Sequence, residues 1–212
     1  MRRTTLESVI RMRHWVFIAI AAIACGQSQD EGGREGASTE VAVELPELRR
    51  LEFGRDFVLT DQDGKSFDTA TLRGKLIFLF FGYTTCPDAC PMTLSKLARV
   101  NAMLGDEGSR VQTVYVSVDP ERDTVEKMKE YLSYYTLPVV GLTGTVEEVG
   151  EVAGDFGVYH SKSEEETAVG YLVDHTTLVY LLDPDGTLRY LSHPEDSPEV
   201  LVGLVRKVLG EG

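Results

Sequence analysis

Between Lys75 and Tyr83 the chain reads Lys-Leu-Ile-Phe-Leu-Phe-Phe-Gly-Tyr, an apolar run with no polar alternation. Successive side chains of a strand point to opposite faces, so a strand with one wet face alternates polar and apolar residues. A run that is apolar at every position must be covered on both faces. It therefore reads as a central strand of a sheet with structure layered on each side.

The flanking signals agree. Phe57 to Gly64 reads as a strand and turn, and Val111 to Val118 as a second buried strand. Between the two buried strands, Leu94, Leu97, Ala98 and Met103 keep helical spacing, with Pro91 suited to a first helical turn. Thr124 to Tyr135 and Thr145 to Phe156 are expected helices, the latter with Thr145 and Glu148 spaced as a capping box. Val139 to Leu142 is a short strand between them. Thr176 to Leu182 and Thr187 to Leu191 are strands joined by the turn Asp183-Pro-Asp-Gly186, and a helix capped by Ser197 runs to Leu209. Strand–helix repeats followed by a hairpin and a last helix predict an α/β domain of thioredoxin-like fold. Its central mixed sheet is flanked by helices and ends in a C-terminal β-hairpin and helix.

The first 24 residues read differently. Arg2, Arg3, Arg11 and Arg13 precede an apolar stretch from Trp15 to Ala24. It is shorter than the ~20 residues of a membrane span but suits the core of a signal peptide. It ends Ala22-Ile-Ala-Cys25-Gly, which resembles a bacterial lipobox, with Ala22 standing where such motifs usually carry Leu. Residues 1–24 are thus expected to be a signal peptide and Cys25 a lipidated N-terminus. Residues 25–50, rich in Gly, Ser, Glu and Gln, read as a flexible tether, and 51–212 as the folded domain. The expected location is extracytoplasmic and membrane-anchored. Net charge is −13; the leader has four arginines against Glu7, a net +3, so the remainder carries −16. So acidic a surface repels phosphate backbones, which excludes nucleic acid as a partner and favours cations and basic protein patches.

Assigning Cys25 to lipid leaves two of the three cysteines, Cys86 and Cys90. An exported compartment permits a disulfide between them. They lie in Phe81-Gly-Tyr-Thr-Thr-Cys-Pro-Asp-Ala-Cys-Pro-Met92, between a buried strand and a helix start. A thiol at a helix N-terminus sees the positive end of the helix dipole, which favours thiolate, the form that binds soft metals and attacks disulfides. Two residues four apart can turn both sulfurs to one ion. Of the histidines, His14 leaves with the leader, His193 reads as solvated and His160 as a satisfied surface residue. His175 precedes the strand from Thr176, a place beside the cysteine loop in this fold. Thiol–disulfide exchange proteins of the fold carry a cis-proline there, and Tyr171 to Thr177 contains no proline.

Four stretches together resemble the SCO/SenC family of copper proteins, which assist assembly of the dinuclear copper centre of cytochrome c oxidase. They are Phe80-Phe-Gly-Tyr-Thr-Thr-Cys-Pro-Asp-Ala-Cys-Pro91, Val116-Ser-Val-Asp-Pro-Glu-Arg-Asp-Thr124, Gly141-Leu-Thr-Gly144, and Val173-Asp-His175 with Asp183-Pro-Asp-Gly186. The resemblance implies that Cys86, Cys90 and His175 hold one copper ion, as Cu(I) or Cu(II). Two thiolates and an imidazole are a soft donor set suited to it, whereas a closed zinc site wants four protein ligands. The resemblance also implies a copper donor protein and a copper-accepting oxidase subunit as partners. The alternative is a thiol–disulfide reductase that keeps the acceptor's cysteines reduced through Cys86 and Cys90; peroxide reduction lacks its usual threonine and proline. Thr85 stands where relatives often have histidine. Asp119 and Asp123 are open between outer support of the site, partner docking, and, for Asp123, capping the helix near Thr124. Glu164 to Glu166 is expected to be a solvated loop.

Overall fold

A computed structural model describes residues 43–167 and 170–210. The elements, in chain order, are β1 (Val58–Asp61), β2 (Ser66–Asp68), β3 (Leu76–Gly82), α1 (Ala89–Leu104), β4 (Val111–Ser117), α2 (Val125–Ser133), β5 (Val139–Thr143), α3 (Val146–Asp155), β6 (His160–Thr167), β7 (Gly170–His175), β8 (Val179–Leu182), β9 (Leu188–Ser192) and α4 (Pro198–Gly210). Seven strands form one sheet in the order β2-β1-β5-β4-β3-β8-β9, and β6 and β7 form a separate two-stranded ribbon.

The apolar run becomes β3, buried at all seven positions. It pairs parallel with β4 and antiparallel with β8, so it lies inside the sheet as its composition requires. The parallel pairs β3–β4 and β4–β5 are bridged by α1 and α2, since a parallel return needs a helical crossover. Leu94, Leu97 and Val100 of α1 and Leu201, Leu204 and Val205 of α4 are buried in the same core as β3 and β4. The mixed sheet, its helices and the β8–β9 hairpin before α4 give the thioredoxin-like fold the sequence predicts. Thr145 and Glu148 form the reciprocal capping box at the start of α3.

Three details depart from the sequence reading. Leu45 and Leu48 pack against the core, and Leu51 bridges to Leu188, so the folded body begins before residue 51. The acidic run Glu164 to Glu166 lies within strand β6 rather than in a loop, because β6 finds its backbone partners in β7. And β8 begins at Val179, so His175 is not the residue before that strand but the last residue of β7. Among the described residues no helix is long and apolar enough to cross a membrane.

Candidate metal centre

The site forms where β3 ends and α1 begins. Asp88, at the cap position of α1, makes no side-chain cap bond. Instead the Cys90 N–H, one of the amides that a helix start leaves unpaired, points at Cys86 Sγ at 3.5 Å. The sulfur replaces a capping oxygen, and the amide's partial positive charge favours a thiolate there. Cys86 is half-buried, Cys90 is buried, and the two are unbridged.

His175 reaches them from β7. Its Nδ1 lies 2.9 Å from the Thr176 carbonyl oxygen. A carbonyl can only accept, so Nδ1 carries the proton and the lone pair sits on Nε2. Nε2 faces Cys90 Sγ at 3.6 Å. The ring is held edge-to-face between Tyr83, 5.6 Å away, and Phe80, 6.2 Å away. One donor atom from each of Cys86, Cys90 and His175 lies within 4.8 Å of the other two. Small movements bring all three to the ~2.0–2.3 Å that sulfur and nitrogen ligands take around a metal.

The two sulfurs are electrostatically unlike. The Cys90 thiol beside Cys86, with the Asp88 and Cys90 backbone amides, pulls the Cys86 thiol down to about 3 against the opposing effect of burial. Cys90, next to that thiolate and buried, is pushed up instead. Cys86 is therefore the more acidic of the pair, and Cys90 keeps its proton to higher pH.

Asp123 and Asp119 support this loop in different ways. Asp123, fully buried, accepts from Thr84 N–H at 3.0 Å, Thr84 Oγ1 at 2.6 Å and Ser117 Oγ at 2.7 Å. It thereby fixes the chain two residues before Cys86. The capping role left open for it belongs to Thr124, whose hydroxyl accepts from Lys127 N–H. Asp119, also buried, pairs with Arg122 Nε and accepts from Tyr171 Oη at 2.8 Å. Arg122 donates to the Tyr171 carbonyl at 2.8 Å and lies 3.7 Å over the Tyr171 ring. Arg122 thus clips β7, and with it His175, to the loop after β4.

Other sequence candidates lie elsewhere. His160 stands opposite His175 in the β6–β7 register but is not among the three clustered donors. His193 is exposed beyond β9. Cys25 and His14 lie outside the described residues. The sequence reading did not single out Arg122, Tyr171, Tyr83 or Gly82. The motif around Asp119 marked the first, but only the fold brings Tyr171 to it.

The SCO1/SenC family model matches residues 46–210. The protein SCO1 homolog 1 of Arabidopsis thaliana mitochondria is 38% identical over 167 residues, covering 78% of this chain and half of that protein's length. The copper-bound structure of ScoI from Bradyrhizobium japonicum is 37% identical, with a TM-score of 0.68 over 74% of this chain and 99% of that one. A SCO1/SenC family lipoprotein from Bacillus anthracis is 27% identical, with a TM-score of 0.66 over 78% and 99% of the two chains. With the family match running over the whole sheet, the loop carrying both cysteines and the last helix, the chain belongs to the SCO1/SenC family.

Proposed function

We propose that this protein is a copper metallochaperone that binds one copper ion through Cys86, Cys90 and His175. It would deliver that copper to the dinuclear centre of cytochrome c oxidase. The observation that carries the reading is the convergence of two sulfurs and a lone-pair nitrogen within 4.8 Å at the end of the sheet's central strand. The donor chemistry fits copper: thiolates and imidazole satisfy Cu(I) at low coordination number and also hold Cu(II). In the loaded state Cys86 is ready as thiolate, Cys90 gives up its proton, and Nε2 donates from a ring already oriented by the Thr176 carbonyl. The copper-bound relative and the family resemblance support this assignment. The donor would be a copper-carrying protein and the acceptor an oxidase subunit with a dithiol site. The lipobox-like segment supports a lipid anchor on Cys25 outside the cytoplasm, behind a signal peptide of residues 1–24 and a tether.

The test is metal content after anaerobic purification. One copper per chain is expected, binding more weakly as pH falls because protons compete for the donors. Retention of copper by the double variant Cys86→Ser, Cys90→Ser, or a preference for zinc, would sink the reading. The unequal sulfurs favour one second reading, reduction of the acceptor's disulfide by the Cys86 thiolate, with Cys90 as the resolving thiol. Turnover of a disulfide substrate by copper-free protein, matched by normal oxidase assembly without bound copper, would select it.

A further inference from the structure

Among the described residues, Tyr115 carries a buried hydroxyl that makes no well-formed hydrogen bond. It lies on β4 opposite Phe80 of β3, and its side chain is fully buried. Its ring packs against Phe80 at 5.9 Å and Tyr131 at 6.0 Å. The Tyr131 hydroxyl is engaged with Tyr135. Buried hydroxyls without a partner cost free energy, and phenylalanine would fill the same space without that cost.

The hydroxyl points toward the cysteines. A Cβ placed on Gly82 would stand 2.8 Å from Cys90 Sγ and 2.9 Å from Tyr115 Oη, so both atoms border the space that glycine leaves open. A thiol is a weak acceptor, but a thiolate is a strong one. Cys90 becomes a thiolate when it gives up its proton to bind metal.

We infer that Tyr115 is a positioning residue whose O–H donates to the Cys90 sulfur once that sulfur ligates copper, and that this bond sets the balance between Cu(I) and Cu(II). The inference rests on the copper reading of Cys86, Cys90 and His175. A hydrogen bond to a ligating thiolate withdraws electron density from the metal–sulfur bond. That favours the reduced ion and moves the sulfur-to-copper charge-transfer band to higher energy. Gly82 is the second part of the device, since any side chain there would separate donor from acceptor.

The test uses the full chain, with copper as the probe, and compares wild type with Tyr115→Phe. Loss of the oxygen should shift the charge-transfer band of the Cu(II) form to longer wavelength. The ratio of Cu(I) to Cu(II) affinity should drop by about threefold to tenfold. The metal-free variant should melt at the same temperature or higher, because an unpaired buried hydroxyl has been removed. In wild type alone, exchange into deuterium oxide should shift the copper–sulfur stretch, and Tyr115→Phe should abolish that shift. An unchanged band, unchanged affinity ratio and no deuterium shift would overturn the inference while leaving the copper site standing. A lower melting temperature with an unaltered copper spectrum would also overturn it, by making the hydroxyl purely structural. Failure of wild type to bind copper at all would overturn the functional reading, and this inference with it.

Discussion

At the residue scale, the site depends on an asymmetry between two chemically identical side chains. Cys86 accepts a helix-start amide and sits next to a thiol, so its folded-state pKa falls from 9.0 to about 3. Its contribution to stability is therefore complete above pH 9 and is lost as pH falls toward 3. Cys90 is shifted the other way, so its contribution is complete below pH 9 and is lost as pH rises. The expected result is one thiolate, not two, in metal-free protein between about pH 5 and pH 8. Ultraviolet thiolate absorbance would count it. Brief alkylation at about pH 5 should label Cys86 and spare Cys90; equal labelling of both would contradict the assignment. His175→Ala provides a second check. It removes the only nitrogen of the three donors, so the charge-transfer absorption of the Cu(II) form should vanish while two sulfurs still retain Cu(I). Reduction of a test disulfide should persist in this variant, which separates the carrier from the reductase. These residues were legible before the fold was known: the Cys-Pro-Asp-Ala-Cys spacing named the sulfurs, and the family resemblance named the histidine. The roles of Asp119 and Asp123 were not, because a carboxylate's partners are chosen by tertiary packing.

At the element scale, the strand ribbon β6–β7 carries His175 and lies outside the seven-stranded sheet. The clip formed by Arg122 on Asp119 and Tyr171 secures it. Asp119 is nearly inaccessible and Arg122 is 17% exposed, so the pair lies largely out of solvent. Replacing Arg122 with Ala would leave the buried Asp119 carboxylate without its counter-charge, with the Tyr171 hydroxyl still donating to it, which costs about 3 kcal/mol. Chemical denaturation should show that loss, and hydrogen exchange should rise along Tyr171 to His175 before it rises in β3. Equal protection in the variant would mean that the ribbon is anchored by something else. Asp123→Asn tests the other support. The amide that replaces one carboxylate oxygen cannot accept from Thr84 or Ser117, so about 1–3 kcal/mol should be lost. Cys86 alkylation should then become less dependent on folding. The elements themselves were unevenly legible. Apolar β3 and the capped α3 follow from local pattern. The ribbon does not, since Ser161-Lys-Ser-Glu-Glu-Glu-Thr167 has no apolar alternation and becomes a strand only through pairing.

At the scale of the whole molecule, charge and attachment govern which partners the protein meets. If the leader is removed, the net charge is −16. A partner offering a basic patch would be steered to this surface, with association slowing as salt rises over the ~10 Å screening length of 0.1 M solution. Cys25→Ser should release the protein from the membrane fraction and leave copper binding unchanged, because stable anchoring requires acyl chains that only this cysteine would carry. Membrane recovery at the wild-type level would point to another tether. The sequence by itself determined the sheet's central strand and the helix positions, and it singled out Cys86, Cys90 and His175 as the candidate donors. Each of these follows from local composition, from spacing or from motifs that survive in linear order. Only the tertiary structure decided that His175 ends a ribbon, that Asp123 braces Thr84 rather than capping a helix, and that Tyr115 and Cys90 both border Gly82. Those relations join residues far apart in the chain, and no local pattern records which distant backbone or hydroxyl a buried polar group will face.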